Sequence, residues 1–301
     1  MTESSVKQEV RQFYDSIGWR QIGDGLYQNA RFEDLRPVSQ AYLHRCHMRV
    51  NRHLPEQGEY LLDAGSGPIQ YPEYLSYSEG FRYRVCLDIS HRALVEARQR
   101  IGEHGLFVVG DVARLPFKEG AFDGLVSMHT VHHLPAQEHE PAYRGFYRVL
   151  RDGGEAATVY SWGQRSLLTR LTRWPIKLSF GLIKLYRRLR GKEEEGSIQV
   201  EAEKPEAQEL LQASGTFTYK HDYRWMKRHL SDLPGFDIRV WRSVSTSFMR
   251  AFIHRSLAGA LWLRLIYQLE EWFPRLLGRL GQYPMIVFEK PTRTQSQGES
   301  H

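Results

Sequence analysis

The sequence predicts an α/β protein with a doubly wound, mostly parallel sheet of seven strands and helical additions that cover the substrate side. Three observations support this fold class. Short apolar runs alternate with helical patterns between residues 60 and 160, which is typical of strand-helix-strand units. Three of the runs are almost continuously apolar, so helices should cover both faces of the sheet. Acidic residues end several runs at the edge where such sheets bind ligands.

Seven apolar runs account for the predicted strands, and five of them lie before residue 163. These five are YLLDA (60–64), YRVCLD (83–88), LFVVGD (106–111), FDGLVSM (122–128) and EAATVYSW (155–162). Ser90 follows the second run and is a suitable N-cap for the next helix. Two later runs, FDIRVW (236–241) and YPMIVFEK (283–290), extend the predicted sheet to seven strands.

Two later segments carry leucine and tryptophan at helical spacing. The stripe within residues 165–192 consists of Leu167, Leu171, Trp174, Leu178, Leu182, Leu185 and Leu189. The stripe within residues 255–281 consists of Leu261, Leu265, Leu269, Trp272, Leu276 and Leu280. Pro175 and Pro274 should each kink or split a helix. Because an apolar stripe needs to be buried, we predict that both segments cover the substrate side and enclose an apolar pocket.

Composition excludes several classes of protein. The chain has 301 residues, of which 41% are hydrophobic and 25% charged, so it can bury a core and is not disordered as a whole. Its two cysteines, Cys46 and Cys86, belong to no disulfide framework or metal motif, which favours a reducing, cytoplasmic location. No apolar leader follows MTESSVKQEV, and no run approaches the roughly 20 apolar residues of a membrane-spanning helix.

The positive charge of the chain is concentrated in one segment. The net charge is +6, but residues 165–192 contain nine Lys or Arg and no acid, so this segment carries +9 and the remainder −3. Its leucines suit an amphipathic helix that lies on a lid, a partner or an anionic membrane surface. A solvated helical face is the alternative.

The first predicted strand leads into a glycine loop, LLDAGSGP (61–68). Glycine at such a turn lets a ligand approach the backbone closely. A dinucleotide fingerprint would need glycine at position 70, where Gln70 stands, so NAD is disfavoured. Asp88 ends the second strand, 21 residues after Gly67, at the distance expected for a carboxylate that accepts hydrogen bonds from ribose hydroxyls, and Asp111 ends the third strand. Because no lysine stands among these acids to hold phosphate, the pattern favours an adenosine without phosphates.

Four motifs together resemble the class I S-adenosylmethionine-dependent methyltransferases, especially the small-molecule type 11 group. They are LLDAGSGP (61–68), VCLDIS (85–90), VVGDVARLPFKEGAFDGLVSMHTVHHL (108–134) and FYRVLRDGGEAATVYSW (146–162), and the resemblance covers about residues 58–162. It implies a Rossmann-like core, S-adenosylmethionine as cofactor, S-adenosylhomocysteine as product and no metal. Ile69 stands where the family has a third glycine, and Pro68 precedes it, so this loop should be stiffer.

By this resemblance, Gly65 and Gly67 pass under the methionine moiety, and Asp88 holds the ribose. Asp111 would bind the adenine amino group, with Val112 against the adenine ring. The full predicted set of cofactor-binding residues is Tyr14, Asp63, Ala64, Gly65, Ser66, Gly67, Asp88, Ile89, Asp111, Val112 and His129.

The predicted organisation has five segments. They are an N-terminal helical cap (1–58), a cofactor-binding Rossmann-like core (59–164), a helical insertion or lid (165–234), final strands with inserted helices (235–291) and a frayed tail (292–301).

The predicted reaction is methyl transfer to a small-molecule acceptor, for which a lipid-like molecule and a natural product are both candidates. An in-line displacement gains most of its rate from alignment, and a hydroxyl acceptor would also need a base. His133 is the first candidate and His132 the second, and only one of them should face the pocket. His221 is a third candidate, on a period-two run of aromatic residues (217–225) that could form a strand edge or a substrate wall. Tyr14, Trp19 and Trp162 could line the pocket.

Several alternatives stay open at this point. RNA, DNA or protein methylation is the main rival, although Ser127-Met128-His129-Thr130 replaces the Asn/Asp-Pro-Pro-aromatic motif of amino methyltransferases. We therefore expect no nucleic-acid partner. A metal site at His129, His132, His133 and His139 is disfavoured because no cysteine accompanies them. A non-catalytic cofactor-binding protein is the alternative from another class, and either a monomer or a homodimer fits the sequence.

Overall fold

A mixed seven-stranded sheet forms the centre of the protein, in a computed structural model that describes residues 3–23, 26–189 and 216–292. Two short strands, β1 (Gln21–Gly23) and β2 (Leu26–Tyr27), pair separately. The strands of the main sheet are β3 (Gly58–Ala64), β4 (Phe81–Asp88), β5 (Gly105–Val109), β6 (Phe122–Met128), β7 (Leu150–Val159), β8 (Asp237–Arg242) and β9 (Tyr283–Glu289).

The order of the strands across the sheet is β5-β4-β3-β6-β7-β9-β8. The pairs from β5 to β7 are parallel, whereas β9 is antiparallel to both β7 and β8. The seven predicted strands are therefore confirmed, and the sheet is mixed rather than wholly parallel. The strand order reverses between β3 and β6, so the connections that leave these two strands run in opposite directions and leave a crevice at the carboxyl ends of the strands.

Nine helices surround the sheet in the described part of the chain. They are α1 (Glu3–Phe13), α2 (Pro37–Met48), α3 (His91–Ile101), α4 (His139–Val149), α5 (Leu167–Leu189), α6 (Tyr223–Leu230), α7 (Thr246–Phe252), α8 (Gly259–Trp272) and α9 (Pro274–Leu280). Ser90 caps α3 as predicted, since its hydroxyl accepts a hydrogen bond from the Ala93 amide at 3.1 Å. Pro274 begins α9, whereas α5 continues through Pro175.

Helices cover both faces of the sheet. Along β3, Leu62 packs into a core with α4 and α6, and the preceding Leu61 packs into a second core with α2, α3 and α8. Successive side chains of a strand point to opposite faces, so buried neighbours indicate a sheet covered on both sides. This arrangement leaves the ends of the strands as the open edge.

The leucine stripe of α5 was assigned to the wrong face of the helix. Leu171, Trp174 and Leu178 are exposed, at 64%, 76% and 53%. The inward face of the described part carries Thr169, Thr172, Ile176 and Ser179 at the same helical spacing. Two of these hydroxyls make tertiary contacts, because Ser179 donates to the Ala251 carbonyl at 3.2 Å and Thr169 bonds to Gln282. Leu182, Leu185 and Leu189 lie outside the described side chains.

The second stripe is also mostly exposed. Leu265 on α8 and Trp272 at its end are 48% and 65% exposed, whereas Leu263 and Glu270 are buried against the core. Among the described helices, none is both long enough and apolar enough to cross a bilayer. The predicted tail lies outside the described residues from 293 onward.

Candidate active site

A cavity of about 430 Å³ opens at the carboxyl ends of β3 to β7. Its size is typical of small-molecule sites, which span roughly 300–1,000 Å³. The strand ends form its floor, the N-terminal residues 7–33 form one wall, and the extended segment 216–220 contributes to another. No described residue of 165–192 or 255–281 lines it, so the predicted cover by these two segments is wrong. The prediction required the two leucine stripes to be buried, but both are mostly exposed.

The glycine loop after β3 is tightly packed by other side chains. Gly65 has a φ of +77°, and a Cβ there would lie 2.2 Å from the Thr130 side chain. Gly67 has a φ of +56°, and its Cβ would lie 3.0 Å from the ring of Trp19. Thr130 also donates a hydrogen bond to the Gly65 carbonyl at 3.1 Å. Both glycines are therefore required by backbone conformation and by space.

Ile69 adopts the left-handed conformation, with a φ of +57°. This conformation is unfavourable for a β-branched residue and normally selects glycine. The backbone therefore keeps the shape that a third glycine would allow, at the position where the sequence has isoleucine. Ile69 is held there by burial, since only 1% of it is exposed.

Asp63 lines the cavity, but its carboxylate already forms an ion pair within the protein. Its carboxylate pairs with the buried Arg84 guanidinium, and Nε and Oδ2 lie 3.1 Å apart. Burial raises the pKa of Asp63, and Arg84 opposes this shift. Ala64 is fully buried, lies outside the cavity wall and accepts a hydrogen bond from Ser127. Ser66 does line the cavity, as predicted.

Asp88 is the acid best placed to bind a ligand. Its Oδ2 accepts a hydrogen bond from the Gly67 amide at 2.9 Å and its Oδ1 one from the Ser90 amide at 2.8 Å. Each oxygen can accept a second hydrogen bond. Burial raises the pKa of this carboxyl to about 6. The adjoining Ile89 also lines the cavity.

Asp111 already holds a cation that sequence reasoning missed. Lys7 Nζ lies 2.5 Å from Asp111 Oδ2 and 2.6 Å from Glu138 Oε1. The other oxygen of Asp111 accepts from the Ala113 amide at 2.9 Å. Val112 is buried and lines the same end of the cavity. The N-terminal helix is thus tied by Lys7 to the position predicted for an adenine amino group.

His129 stands in the wall beyond the end of β6. Its φ is +58°, and its ring packs edge-on against Trp241 and Tyr283. Burial lowers the pKa of His129 to about 3, so the ring is neutral at physiological pH. This residue is therefore a neutral polar side chain in the wall.

His132 and His133 both line the cavity, so the prediction that only one of them would face it is wrong. They share a 3₁₀ turn, Val131–His133, and their ring centroids are 4.4 Å apart. The cavity extends around more than one side of this turn, so two successive side chains can both reach it. Burial lowers the pKa of both, that of His133 to about 4.

Tyr14 and His133 form a hydrogen-bonded pair across the cavity. The Tyr14 hydroxyl lies 3.0 Å from His133 Nε2, and His133 Nδ1 lies 2.9 Å from the Phe217 carbonyl. Because a carbonyl only accepts, we assign the ring proton to Nδ1, and Tyr14 then donates to Nε2. Tyr14 also stacks on Trp19, with ring centroids 4.9 Å apart. The other predicted wall residue, Trp162, is buried in the core and donates to the Gly278 carbonyl.

The structure does not bring His221 to the cavity. Its ring stacks on Trp225 at 3.5 Å, and its Nε2 lies 3.3 Å from the Ala136 carbonyl. Side chains alternate along the extended segment 216–220, as the period of two predicts. The residues that face the cavity, however, are the ones between the predicted aromatic residues. The residues that line the cavity are Thr216, Thr218 and Lys220. Helix α6 then replaces the predicted strand edge.

A second buried ion pair lies in the cavity wall and was also missed. Arg242 Nη1 lies 3.3 Å from Glu33 Oε1, and the pair joins the N-terminal segment to β8. Burial disfavours the charge of Glu33, but Arg242 lowers the pKa of this acid to about 2. No sequence motif marks this pair, since its members are far apart in the chain. In the described part of the chain, no three His, Cys, Asp or Glu side chains are grouped to hold a metal ion.

Comparison with known proteins agrees with this geometry. Residues 62–158 match the family model described as a methyltransferase domain. This confirms the resemblance and the class of enzyme that the sequence predicts for this region. A curated protein of Encephalitozoon cuniculi, named as a methyltransferase by inference, is 39% identical over 71 residues. These residues are 23% of this chain and 33% of that protein.

Solved structures share the fold of the methyltransferase domain and its additions. Phosphoethanolamine N-methyltransferase 1 of Haemonchus contortus aligns with a TM-score of 0.55 and 12% identity, over 97% of this chain and 51% of that one. Geranyl diphosphate C-methyltransferase of Streptomyces coelicolor aligns with a TM-score of 0.51 and 15% identity, over 95% and 98%. Both were crystallised with S-adenosylhomocysteine. This chain therefore spans about half of the first protein and nearly all of the second.

Proposed function

We propose that the protein transfers a methyl group from S-adenosylmethionine to a small-molecule acceptor. The observation that carries this proposal is one cavity lined by two sets of functional groups. The first set, here called the cofactor end, is the glycine loop with Asp88 and Asp111. The second set, called the acceptor end, is the Tyr14–His133 pair with the segment 216–220.

The residues at the first end fit the cofactor. Gly65 and Gly67 keep the backbone without side chains beneath the position of the methionine moiety. Asp88 has an unused acceptor site on each oxygen for the ribose hydroxyls. Ile89 and Val112 would contact the adenine, and Asp111 would accept from its amino group. Such a site would leave the methyl group directed toward the second end of the cavity.

When bound, S-adenosylmethionine would supply a methyl group on a sulfonium, and in-line attack of the acceptor on this methyl group would release S-adenosylhomocysteine. The second end would align the acceptor and receive its proton. His133 Nε2 is the basic atom there, and Tyr14 can pass its hydroxyl proton to it while accepting the proton of the substrate. Because burial raises the pKa of Tyr14 and lowers that of His133, both are neutral before the reaction. His132 stands beside them in the wall.

A small acceptor fits the cavity better than a nucleic acid or a protein does. Cap side chains cover the cavity and leave little room for a polymer, since Trp19 packs directly over Gly67. The acceptors named for the two similar structures, phosphoethanolamine and geranyl diphosphate, are small molecules. A lipid-like or natural-product acceptor stays within this class. Cytoplasmic location also remains a prediction.

Calorimetry and a methyl-transfer screen test the function together. We expect S-adenosylhomocysteine to bind and NAD not to compete. Asp88→Ala should weaken binding, and Asp232→Ala, at an exposed acid on the surface, should not. A labelled methyl donor would then be offered with panels of metabolites, RNA and proteins. Transfer to RNA or protein alone contradicts the small-molecule proposal, and binding without any transfer favours a non-catalytic role.

We further propose that α5, α8 and α9 contact an anionic membrane surface. Trp174, Trp262 and Trp272 on α5 and α8 are each more than half exposed, as are neighbouring leucines. Exposed tryptophan and leucine on amphipathic helices are typical of proteins that lie in a membrane interface. The two helices flank a shared groove and are therefore neighbours on the protein surface.

The charges on this face favour anionic lipid over a second copy of the chain. The described part of α5 carries Arg170, Arg173 and Lys177 and no acid. The two acids of α8, Glu270 and Glu271, pair with arginines near α2. Two copies would bring like charges together, whereas an anionic bilayer complements them.

Vesicle sedimentation tests the membrane contact. We expect binding to vesicles that contain phosphatidylglycerol, loss of binding in high salt, and weak binding to phosphatidylcholine alone. Leu171→Ser should reduce binding about tenfold, the scale of one buried leucine, whereas Leu106→Ser on β5 should not. A stable dimer in light scattering that Leu171→Ser dissociates, with no vesicle binding, contradicts the proposal.

A further inference from the structure

The segment 216–220 forms one wall of the acceptor end of the cavity, and two backbone contacts fix it there. The Tyr219 amide donates to the His132 carbonyl at 2.8 Å, and the Phe217 carbonyl accepts from His133 Nδ1 at 2.9 Å. Because side chains alternate along an extended backbone, these contacts direct Thr216, Thr218 and Lys220 into the cavity. The wall is therefore placed by the same turn that carries the predicted base.

Lys220 differs from the other cations around the cavity because it has no acidic partner in the described part of the chain. Lys7, Arg84 and Arg242 each pair with a carboxylate. Among the residues that the structure describes, no carboxylate lies within 4 Å of the Lys220 ammonium group. Burial lowers the pKa of Lys220, as expected for a cation that lacks a counter-charge. The site therefore contains a partly desolvated positive charge that a ligand could compensate.

The backbone at Gly163 makes room for this lysine. Gly163 has a φ of +58°, and a Cβ there would lie 2.7 Å from Lys220 Cδ. Any other residue would thus push the lysine from its position as well as strain the backbone. Lys220 is also close enough to His132 and His133 to lower their pKa values, although burial is the larger cause.

Two further polar atoms in this wall lack partners among the residues that the structure describes. Thr216 Oγ1 and His132 Nδ1 are both buried and make no hydrogen bond within residues 3–23, 26–189 and 216–292. His132 as a whole is only 8% exposed. Buried polar groups are nearly always satisfied in proteins, so unpaired ones in a cavity wall point to a ligand that satisfies them. A hydroxyl and an ammonium group are donors suited to an anionic oxygen, and His132 Nδ1 is a third donor in the tautomer that carries the ring proton on this atom.

We propose that the methyl acceptor carries a carboxylate or phosphate group, which binds Lys220, Thr216 and His132. This inference rests on the proposed function, because it names the substrate class of the same cavity. The anionic group would lie beside the Tyr14–His133 pair. The atom that receives the methyl group should therefore be only a few bonds away from the anion.

Titration of the S-adenosylhomocysteine-loaded protein with inorganic phosphate and with acetate tests the inference. We expect saturable binding of at least one anion, and the preferred one identifies the group. Lys220→Met should weaken it tenfold or more, since it removes the only charged donor of the three. Lys227→Met makes the same change at an exposed position on α6 and should leave binding unchanged.

The outcomes separate this inference from the function on which it rests. If S-adenosylhomocysteine binds but neither anion does, or if Lys220→Met leaves anion binding intact, the anion site is wrong and the methyltransferase proposal stands. If S-adenosylhomocysteine does not bind, the proposed function is wrong, and the same titration on the ligand-free protein decides the anion site. Circular dichroism of Lys220→Met checks that the variant is folded.

Discussion

The two ends of the cavity satisfy their polar groups in different ways. At the cofactor end, each acid already has a partner: Asp63 pairs with Arg84, Asp88 accepts two backbone amides, and Asp111 binds Lys7. At the acceptor end, Lys220 and His132 Nδ1 have none within the described residues. The polar groups of the first end are satisfied by the protein, whereas those of the second would be satisfied by the proposed ligand. We infer that the first end is generic to the fold and that the second defines the substrate.

The largest expected effect separates catalysis from binding at the acceptor end. If the acceptor is a hydroxyl, His133→Ala should lower kcat by roughly 10²–10⁴, the usual contribution of a general base. Tyr14→Phe should act on the same step, because its hydroxyl is the partner of His133 Nε2. The affinity for S-adenosylhomocysteine should change little in His133→Ala. By contrast, His132→Ala should act mainly on KM.

Single-turnover kinetics with an acceptor from the methyl-transfer screen measure these effects. Because the pKa of His133 is about 4, wild-type kcat should show no loss from its protonation above about pH 5. Near-wild-type kcat in both Tyr14→Phe and His133→Ala would mean that alignment alone drives the reaction.

The second prediction concerns the acid with free acceptor sites at the cofactor end. Asp88→Asn should weaken S-adenosylhomocysteine by about 1–3 kcal/mol, or roughly 5- to 150-fold in Kd, through lost hydrogen bonds at a buried site. Calorimetry measures this change. Asp232→Asn, at an exposed acid, is the matched control. Equal affinities for wild type and Asp88→Asn would remove this residue from the ribose site.

The sequence predicted residues in local motifs better than residues whose contacts join distant parts of the chain. Asp88 and the glycine loop were predicted because strand ends and turn spacing are local patterns. The pairs Lys7–Asp111 and Tyr14–His133 join residues 104 and 119 positions apart, and no local pattern records them. The phase of segment 216–220 depends on its docking to the His132 carbonyl, which is also a tertiary contact.

The exposed leucine stripes show a different limit. Helical spacing correctly predicted that α5 and α8 are amphipathic helices, but it does not say which face meets the protein. In α5, the buried face carries Thr169, Thr172 and Ser179, whose hydroxyls bond to neighbouring groups. A polar face can therefore be the inner one when tertiary partners satisfy it.

The third prediction uses the pKa of Asp88, which burial raises to about 6. Below this pH the carboxyl is protonated and accepts hydrogen bonds less well, so affinity for S-adenosylhomocysteine should fall, by at most tenfold per pH unit. The stability of the ligand-free protein responds in the opposite sense. The folded state holds this proton more tightly than the unfolded chain, so the Asp88 contribution rises as pH falls from about 6 to 4.

Calorimetry and thermal unfolding between about pH 4 and 6 measure how the affinity and the stability change with pH. The difference between wild type and Asp88→Asn isolates the contribution of this residue from those of other titrating groups. A pH dependence of affinity that persists unchanged in Asp88→Asn would assign it to a different group.

The smallest expected effect tests whether Lys7 and the cofactor compete for the Asp111 carboxylate. Lys7 binds the Asp111 oxygen that we assign to the adenine amino group, so the cofactor and the N-terminal helix would share this acceptor. Lys7→Met should lower the free energy of unfolding by about 1–3 kcal/mol, since it leaves the buried Glu138 carboxylate without its cation. It should also tighten S-adenosylhomocysteine by roughly two- to fivefold, because Asp111 becomes free. Lys118→Met, at an exposed lysine, is the control for the charge change, and weaker binding in Lys7→Met would show instead that Lys7 holds the cap closed over the cofactor.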